Sequence, residues 1–302
     1  MKSSAAVAAV AGSLVAVVSI SLLLLRRRKS SNSRSIAGEF AEDECIYLDY
    51  NGTTSVYSFV LDAMLPYFKT HFGNPGSGHV YGDSPKAAVE TARKQILTEL
   101  LGCKKETPLS SIVLLSCGTE SDNLAIHLAL SNHDECHVVT TNVEHPAVEK
   151  CLKYYESTGR CTVSYVPVQP DGRVIAKEVI KAITSKTVLV TVMLANNESG
   201  AVQPVKEISE YCKSRKIVFF TDAAQAAGKI SVRLKDLGYP DMMTIVGHKL
   251  GAPKGVACLY IRPDCLQASV ALLQGGGQEF GVRGGTENVP YIVGFGTACA
   301  YA

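Results

Sequence analysis

Asp222-Ala-Ala-Gln225 and Gly247-His-Lys249-Leu-Gly251 decide the reading of this chain. Each follows directly on a run of apolar, β-prone residues, 217–220 and 242–246, so each begins where a buried strand gives way to a loop. A carboxylate and a lysine so placed, about one βα unit apart, are what an aldehyde cofactor with a basic ring nitrogen requires. The lysine condenses with the aldehyde; the carboxylate pairs with the protonated ring nitrogen and keeps the ring an electron sink. Pyridoxal phosphate is that cofactor. A lone Asp after a strand also reads as a helix N-cap, so Asp222 takes its meaning from Lys249. Desolvation at such a strand end lowers the basicity of a lysine and favours the neutral amine.

Working outward, further apolar runs at 112–115, 137–140, 163–166, 188–194 and 256–261 alternate with helical patterns near 120–130, 146–156, 176–183 and 205–214. Strands buried on both faces with helices between them predict an α/β fold on a mainly parallel sheet of about seven strands. The ligand of such a sheet sits at the carboxyl ends of its strands. Upstream, 85–101 reads as a helix with Ser84 as its N-cap, Pro85 at its first position and Gly102 past its end.

The 302 residues, 46% hydrophobic and 19% charged, suit one large domain or two modest ones. Net charge is only +2, and much of the positive side lies in Arg26-Arg-Arg-Lys29, which leaves no nucleic-acid footprint elsewhere. Ten cysteines without a CxxC pair, in a chain of this length, point to reduced thiols and to no metal site. Residues 5–25 carry no charge and match the roughly 20 apolar residues of a membrane-spanning helix. The basic cluster follows that run, so residues 1–25 read as a signal anchor with the folded domain on the cytosolic side. A signal peptide or a mitochondrial presequence are the alternatives, since 30–35 is rich in Arg and Ser and lacks acids. Residues 26–44 read as a polar linker and 45–302 as the cofactor-binding domain.

Other candidate site residues lie at strand ends. Ser116-Cys-Gly-Thr119-Glu120-Ser121 opens a helix, where free backbone N–H groups suit a phosphate, although such a turn is also an ordinary cap. His145, before Pro146, is either a satisfied histidine or one that stacks on a cofactor ring and moves protons. Asn196-Asn197-Glu-Ser-Gly200 is either a turn device or, through Asn197, a ligand to cofactor or substrate. Gly275–Glu279 and Gly281–Asn288 form a glycine-dense loop that lets backbone approach a ligand or a second subunit.

These motifs together resemble the class V aminotransferase superfamily, and within it the NifS-like cysteine desulfurases and selenocysteine lyases. The resemblance runs from Tyr47-Leu-Asp-Tyr-Asn51-Gly-Thr-Thr54 through Phe72-Gly-Asn-Pro-Gly-Ser77, Gly118-Thr-Glu-Ser-Asp-Asn123, Glu144-His145, Asn196–Gly200, Asp222–Gln225 and Gly247–Lys249 to Arg283-Gly-Gly-Thr286-Glu-Asn288. It implies the large domain of a fold-type-I pyridoxal-phosphate enzyme. By resemblance, Lys249 is the Schiff-base lysine, Asp222 the ring-nitrogen partner, Gln225 the neighbour of the ring hydroxyl and His145 the stacking acid/base. Asn197 and Asn51 lie near the substrate. Thr119, with Glu120 beside it, and His248 hold the phosphate, joined by Thr286 from the second subunit of a homodimer.

The implied reaction splits the Cβ–Se or Cβ–S bond of L-selenocysteine or L-cysteine, leaves L-alanine and hands the chalcogen to an acceptor protein. Gly52 replaces a usual Ala, and Val246 a frequent Ser. The Val is similar to eukaryotic selenocysteine lyases and tips the expectation toward that activity. A desulfurase supplying sulfur for Fe–S clusters or tRNA thiolation is the alternative. Within the superfamily an aminotransferase or an epimerase-like lyase is a further reading. The family's small C-terminal domain, with its acceptor cysteine, has no counterpart before Ala302. The expectation is a cofactor domain of a longer enzyme or, alternatively, a non-catalytic partner of a full-length homologue.

Overall fold

The computed structural model describes residues 46–263, 265 and 271–302. The expected N-terminal anchor and the whole linker lie outside those residues, and among the described residues no helix is long and apolar enough to cross a membrane. From Asp49 onward the elements are α1 (Ser58–Lys69), α2 (Val80–Gln95), β1 (Ile112–Leu115), α3 (Gly118–Leu130), β2 (Cys136–Thr141), α4 (Pro146–Ser157), β3 (Cys161–Val166), α5 (Ala176–Lys181), β4 (Thr187–Thr191), α6 (Val205–Arg215), β5 (Val218–Asp222), β6 (Met242–Val246), β7 (Ala257–Ile261) and α7 (Val289–Tyr301).

The seven strands form one sheet in the order β1-β7-β6-β5-β4-β2-β3. Every pair is parallel except β6–β7 and β7–β1. Because β7 is antiparallel to both neighbours, β1 points the same way as β6, and six carboxyl ends share one edge of the sheet. Side chains alternate across it. Val190, Phe219 and Met243 pack with α1, α2, α6 and α7 on one face. Leu189, Phe220 and Met242 pack with α3 and α4 on the other. This is the three-layer α/β arrangement that the apolar runs predict.

The start of α2 differs from the expectation at Ser84 and Pro85. His79 is the N-cap, in extended conformation (φ −139°, ψ 168°), and Pro85 lies inside the helix. Proline there cannot donate to the Tyr81 carbonyl. That carbonyl lies against Gly73, where a Cβ would meet it at 2.0 Å, so the glycine gives the displaced oxygen its room. The far end holds as expected: a π turn, Ile96–Leu100, is followed by Gly102 at φ +66°. Two helices were not expected. In α7, Gly294 and Gly296 admit Met64 of α1 and Ala92 of α2, both within 2.6 Å of where a Cβ would stand.

The glycine-dense loop is tied to this frame by a buried ion pair. Arg93 of α2 bonds Glu279 at 2.6 Å and donates to the Ile112 carbonyl, while the second Glu279 oxygen accepts from Leu114 N at 2.7 Å. The guanidinium also lies over the Phe280 ring, 4.9 Å from its centroid. Glu279 and Phe280 both hold positive φ, 49° and 59°, a conformation that non-glycine residues adopt at a cost. Glu279→Ala leaves the guanidinium buried and unpaired, so unfolding in urea should show a loss of about 3–5 kcal/mol.

Candidate active site

β5 and β6 are paired in parallel with Asp222 opposite Thr244, so the residues that follow them emerge side by side at the carboxyl edge. A cavity of about 650 Å³ opens there. Asn51, Thr119, His145, Asn197, Asp222, Gln225, His248 and Lys249 all line it, which brings together eight residues that the sequence singled out. Thr286 does not. It lines a separate cavity of about 150 Å³ beside Arg283 and Glu279, outside this chain's own site.

Lys249 follows β6 in a single 3-10 turn, Gly247–Lys249. Its Nζ donates to the backbone carbonyls of Asn51 and Gly52, the latter at 2.9 Å. The same Asn51 carbonyl accepts from Gln225 Nε2 at 2.9 Å, and Lys229 Nζ bridges Gln225 Oε1 (2.6 Å) and Asn51 Oδ1 (3.3 Å). The segment around Asn51 is thereby strapped across the lysine. Thr54 N and Oγ1 both donate to the His248 carbonyl (2.8 and 3.0 Å), and Gly251 N donates to Thr54 Oγ1 at 2.9 Å. Gly251, at φ +85°, lies so close to Tyr57 that a Cβ would meet its ring at 2.1 Å. Burial lowers the basicity of Lys249, opposed by the charges of Asp49 and Asp222. His248 is lowered as well, by burial and by Lys249 and Lys254, and its Nδ1 pairs with Thr53 Oγ1 at 3.1 Å.

Asp222 is only 6% exposed. One carboxylate oxygen accepts from Ala224 N at 2.8 Å, a local turn in place of a helix cap. Burial raises its pKa, while the Ala224 bond and the charges of His145 and Lys249 favour the anion. Three further groups complete the site. Glu144 is buried, takes Thr141 Oγ1 at 2.6 Å and Met193 N at 3.0 Å, and is pushed by burial to about 8. Asp122, 2% exposed and lining the cavity, is raised by burial and then by Asp222, and its Oδ1 has no hydrogen-bond partner. Cys117 lines the cavity at the N-cap of α3. Asp122 lies one helical turn past Thr119, and Glu144 directly precedes His145; only tertiary burial marks them out.

The site fits pyridoxal phosphate at several points. α3 opens on the cavity through Cys117, Gly118 and Thr119 and has no side-chain cap, so its first N–H groups are offered to an anion. A Cβ on Gly118 would meet Val246 at 2.7 Å, which fixes a glycine where the backbone closes on its ligand. Glu120 plays no such part through its side chain. Its carboxylate turns back to Ser116 N (2.7 Å) and Oγ (2.5 Å) and to Arg283 Nε (2.8 Å). Asn196 is the turn device that its position suggested, its Oδ1 accepting from Glu198 N and Ser199 N, while Asn197 reaches the cavity.

Comparison with known proteins agrees with this geometry. The model of the family "Aminotransferase class-V" matches residues 46–302. A cysteine desulfurase of Nostoc sp. is 46% identical over 254 residues, 84% of this chain and 61% of the relative. A mitosomal cysteine desulfurase of Trachipleistophora hominis is 43% identical over 260 residues, 84% of this chain and 57% of the relative. Among solved structures, "SspA in complex with cysteine" superposes with a TM-score of 0.79 at 36% identity, over 84% of this chain and 72% of that one. The chain therefore belongs to the class V aminotransferase family, in its NifS-like, cysteine desulfurase-related branch. Its cofactor is pyridoxal 5'-phosphate. It spans about three fifths of the length of the curated relatives it matches.

The buried carboxyls make a pH prediction. Glu144 moves from an ordinary value of 4.5 to about 8 on folding, so the folded protein holds a proton that the unfolded chain releases. Stability then falls as pH rises through that window and is unaffected by this group below it. Asp122 and Asp222 act in the same direction. Glu144→Gln keeps the shape and removes one titration. Urea midpoints measured from about pH 5 to about pH 8 should fall less steeply for the variant.

Proposed function

We propose that this chain is the cofactor-binding part of an enzyme that removes sulfur from L-cysteine and leaves L-alanine. The convergence of Asp222, Lys249 and His145 on one cavity, at the open end of α3, carries the reading. When bound, pyridoxal phosphate supplies an electron sink for charge at the substrate Cα. Lys249 would provide the amine that holds the cofactor aldehyde and would move the proton at the substrate Cα. Its lowered basicity suits both tasks. Asp222 would pair with the cofactor's protonated ring nitrogen, and His145, on the same cavity, would face the ring and handle the proton of the substrate thiol. Asn197 and Asn51 orient the substrate, and α3 with Thr119 and His248 holds the phosphate. Thr286 belongs to the site of a second copy in a homodimer.

The overall step balances as L-cysteine plus an acceptor thiol giving L-alanine plus a persulfide. The Cβ–S bond breaks, Cβ gains hydrogen, and an S–S bond forms. Eight curated relatives, 41–46% identical to this chain, are all cysteine desulfurases, which supports sulfur over selenium. Val246 favours the second reading, L-selenocysteine, through its likeness to selenocysteine lyases. The mitosomal relative supports an organelle rather than an anchor as the destination.

Incubation with L-cysteine or L-selenocysteine, with excess dithiothreitol, separates the readings by the alanine and the sulfide or selenide released. Sulfur is expected to be the faster substrate, and release of alanine from L-selenocysteine but not from L-cysteine would overturn the proposal. Lys249→Ala should abolish turnover. His145→Ala should slow it by about 10²–10⁴-fold.

A further inference from the structure

Two charged side chains outside the cavity bear on its phosphate end. Glu120 sits in the first turn of α3, where a carboxylate stabilises a helix but repels any anion bound at that end. Its partner is Arg283, whose Nε donates to Oε1 at 2.8 Å and whose Nη2 lies 3.4 Å from Oε2. The pair is largely shielded, with the side chains 21% and 12% exposed. Burial alone would raise the Glu120 pKa; the bonds from Arg283 and Ser116 outweigh it and hold the carboxyl below its ordinary value. Glu120 is thus an anion at neutral pH, one residue past Thr119.

Arg283 does not reach Glu120 by chance of a loose loop. Four residues earlier in the same segment, Glu279 is clamped by Arg93 and by Leu114 N, in β1, the strand that leads into α3. Further on, Asn288 Oδ1 accepts from Tyr291 N at the start of α7. The loop is pinned on both sides of Arg283, and Gln278 Oε1 accepts from Gly285 N at 3.0 Å within it.

We propose that Arg283 is a charge-compensating, positioning residue that sets the affinity of the α3 N-terminus for the cofactor's phosphate by cancelling the Glu120 carboxylate. Arg283 touches neither the cavity nor the reacting atoms. Its effect is therefore confined to ligands that carry the phosphate. This rests on the cofactor site assigned above.

The test is spectroscopic titration of the apoprotein with pyridoxal phosphate and, separately, with pyridoxal, which lacks the phosphate. Arg283→Met should weaken pyridoxal phosphate on the order of tenfold and leave pyridoxal within about twofold. Adding Glu120→Gln to Arg283→Met removes the uncancelled charge and should restore most of the loss. Arg283→Lys, which keeps the charge, should stay close to wild type and serves if the Met variant folds poorly. Equal weakening of both ligands, or no rescue by Glu120→Gln, would show that Arg283 only braces the loop and would overturn the inference. A wild-type protein that binds neither ligand defeats the assignment of the site itself, an outcome distinct from the other two.

Discussion

The parallel pairing of β5 with β6 is the constraint from which the site follows. With Asp222 level with Thr244, the residue after β5 and the turn after β6 leave the sheet as neighbours. A buried carboxylate and a partly desolvated lysine then face one cavity without any loop having to search for the arrangement. Parallel strands make this possible because all their carboxyl ends share an edge. The antiparallel β7 preserves it by returning the chain so that β1, and with it α3, points the same way.

The electrostatics of the cavity are set by burial more than by pairing. Asp122, Glu144 and Asp222 are all raised by burial, and the neighbouring His145 and Lys249 side chains favour the anion at Asp222. Burial and mutual repulsion disfavour ionising all three at once. Of the three, Asp222 is the one whose anion its neighbours favour, and it lines the same cavity as Lys249. On the other side of the cavity, the carbonyls of Asn51 and Gly52 occupy the lysine's donors, so the amine is held in place before it has other work.

Legibility in the sequence followed the range of the interactions involved. The strands were readable because both faces are buried, and the apolar runs coincide with β1 to β7 to within two or three residues. Asp222, Lys249, His145 and Thr119 were readable because strand ends are where chemistry collects. The start of α2 was not, because Pro85 signals a first turn and only the remote Gly73 makes room for it in an interior one. Nor was α7, whose glycines read as loop until Met64 and Ala92 are seen against them. For Glu120 the motif leaves the side chain's direction open, and only the fold shows its carboxylate turned to Ser116 and Arg283. The roles of Asp122 and Glu144 depend on burial that no local pattern encodes.

The position of β1 has a consequence for how the protein comes to be made. Among the described residues its only strand neighbour is β7, with Ile112 against Tyr260 and Leu115 against Ala257. During synthesis the strand that leads into α3 waits, unpaired, until nearly the whole domain has left the ribosome. Contacts this distant in sequence form late and slowly. A nascent chain can therefore assemble the Asp222 and Lys249 side of its pocket while the opposite wall is still missing. Cofactor capture becomes a closing event of folding, and a shortage of cofactor would be felt by a chain that is otherwise already built.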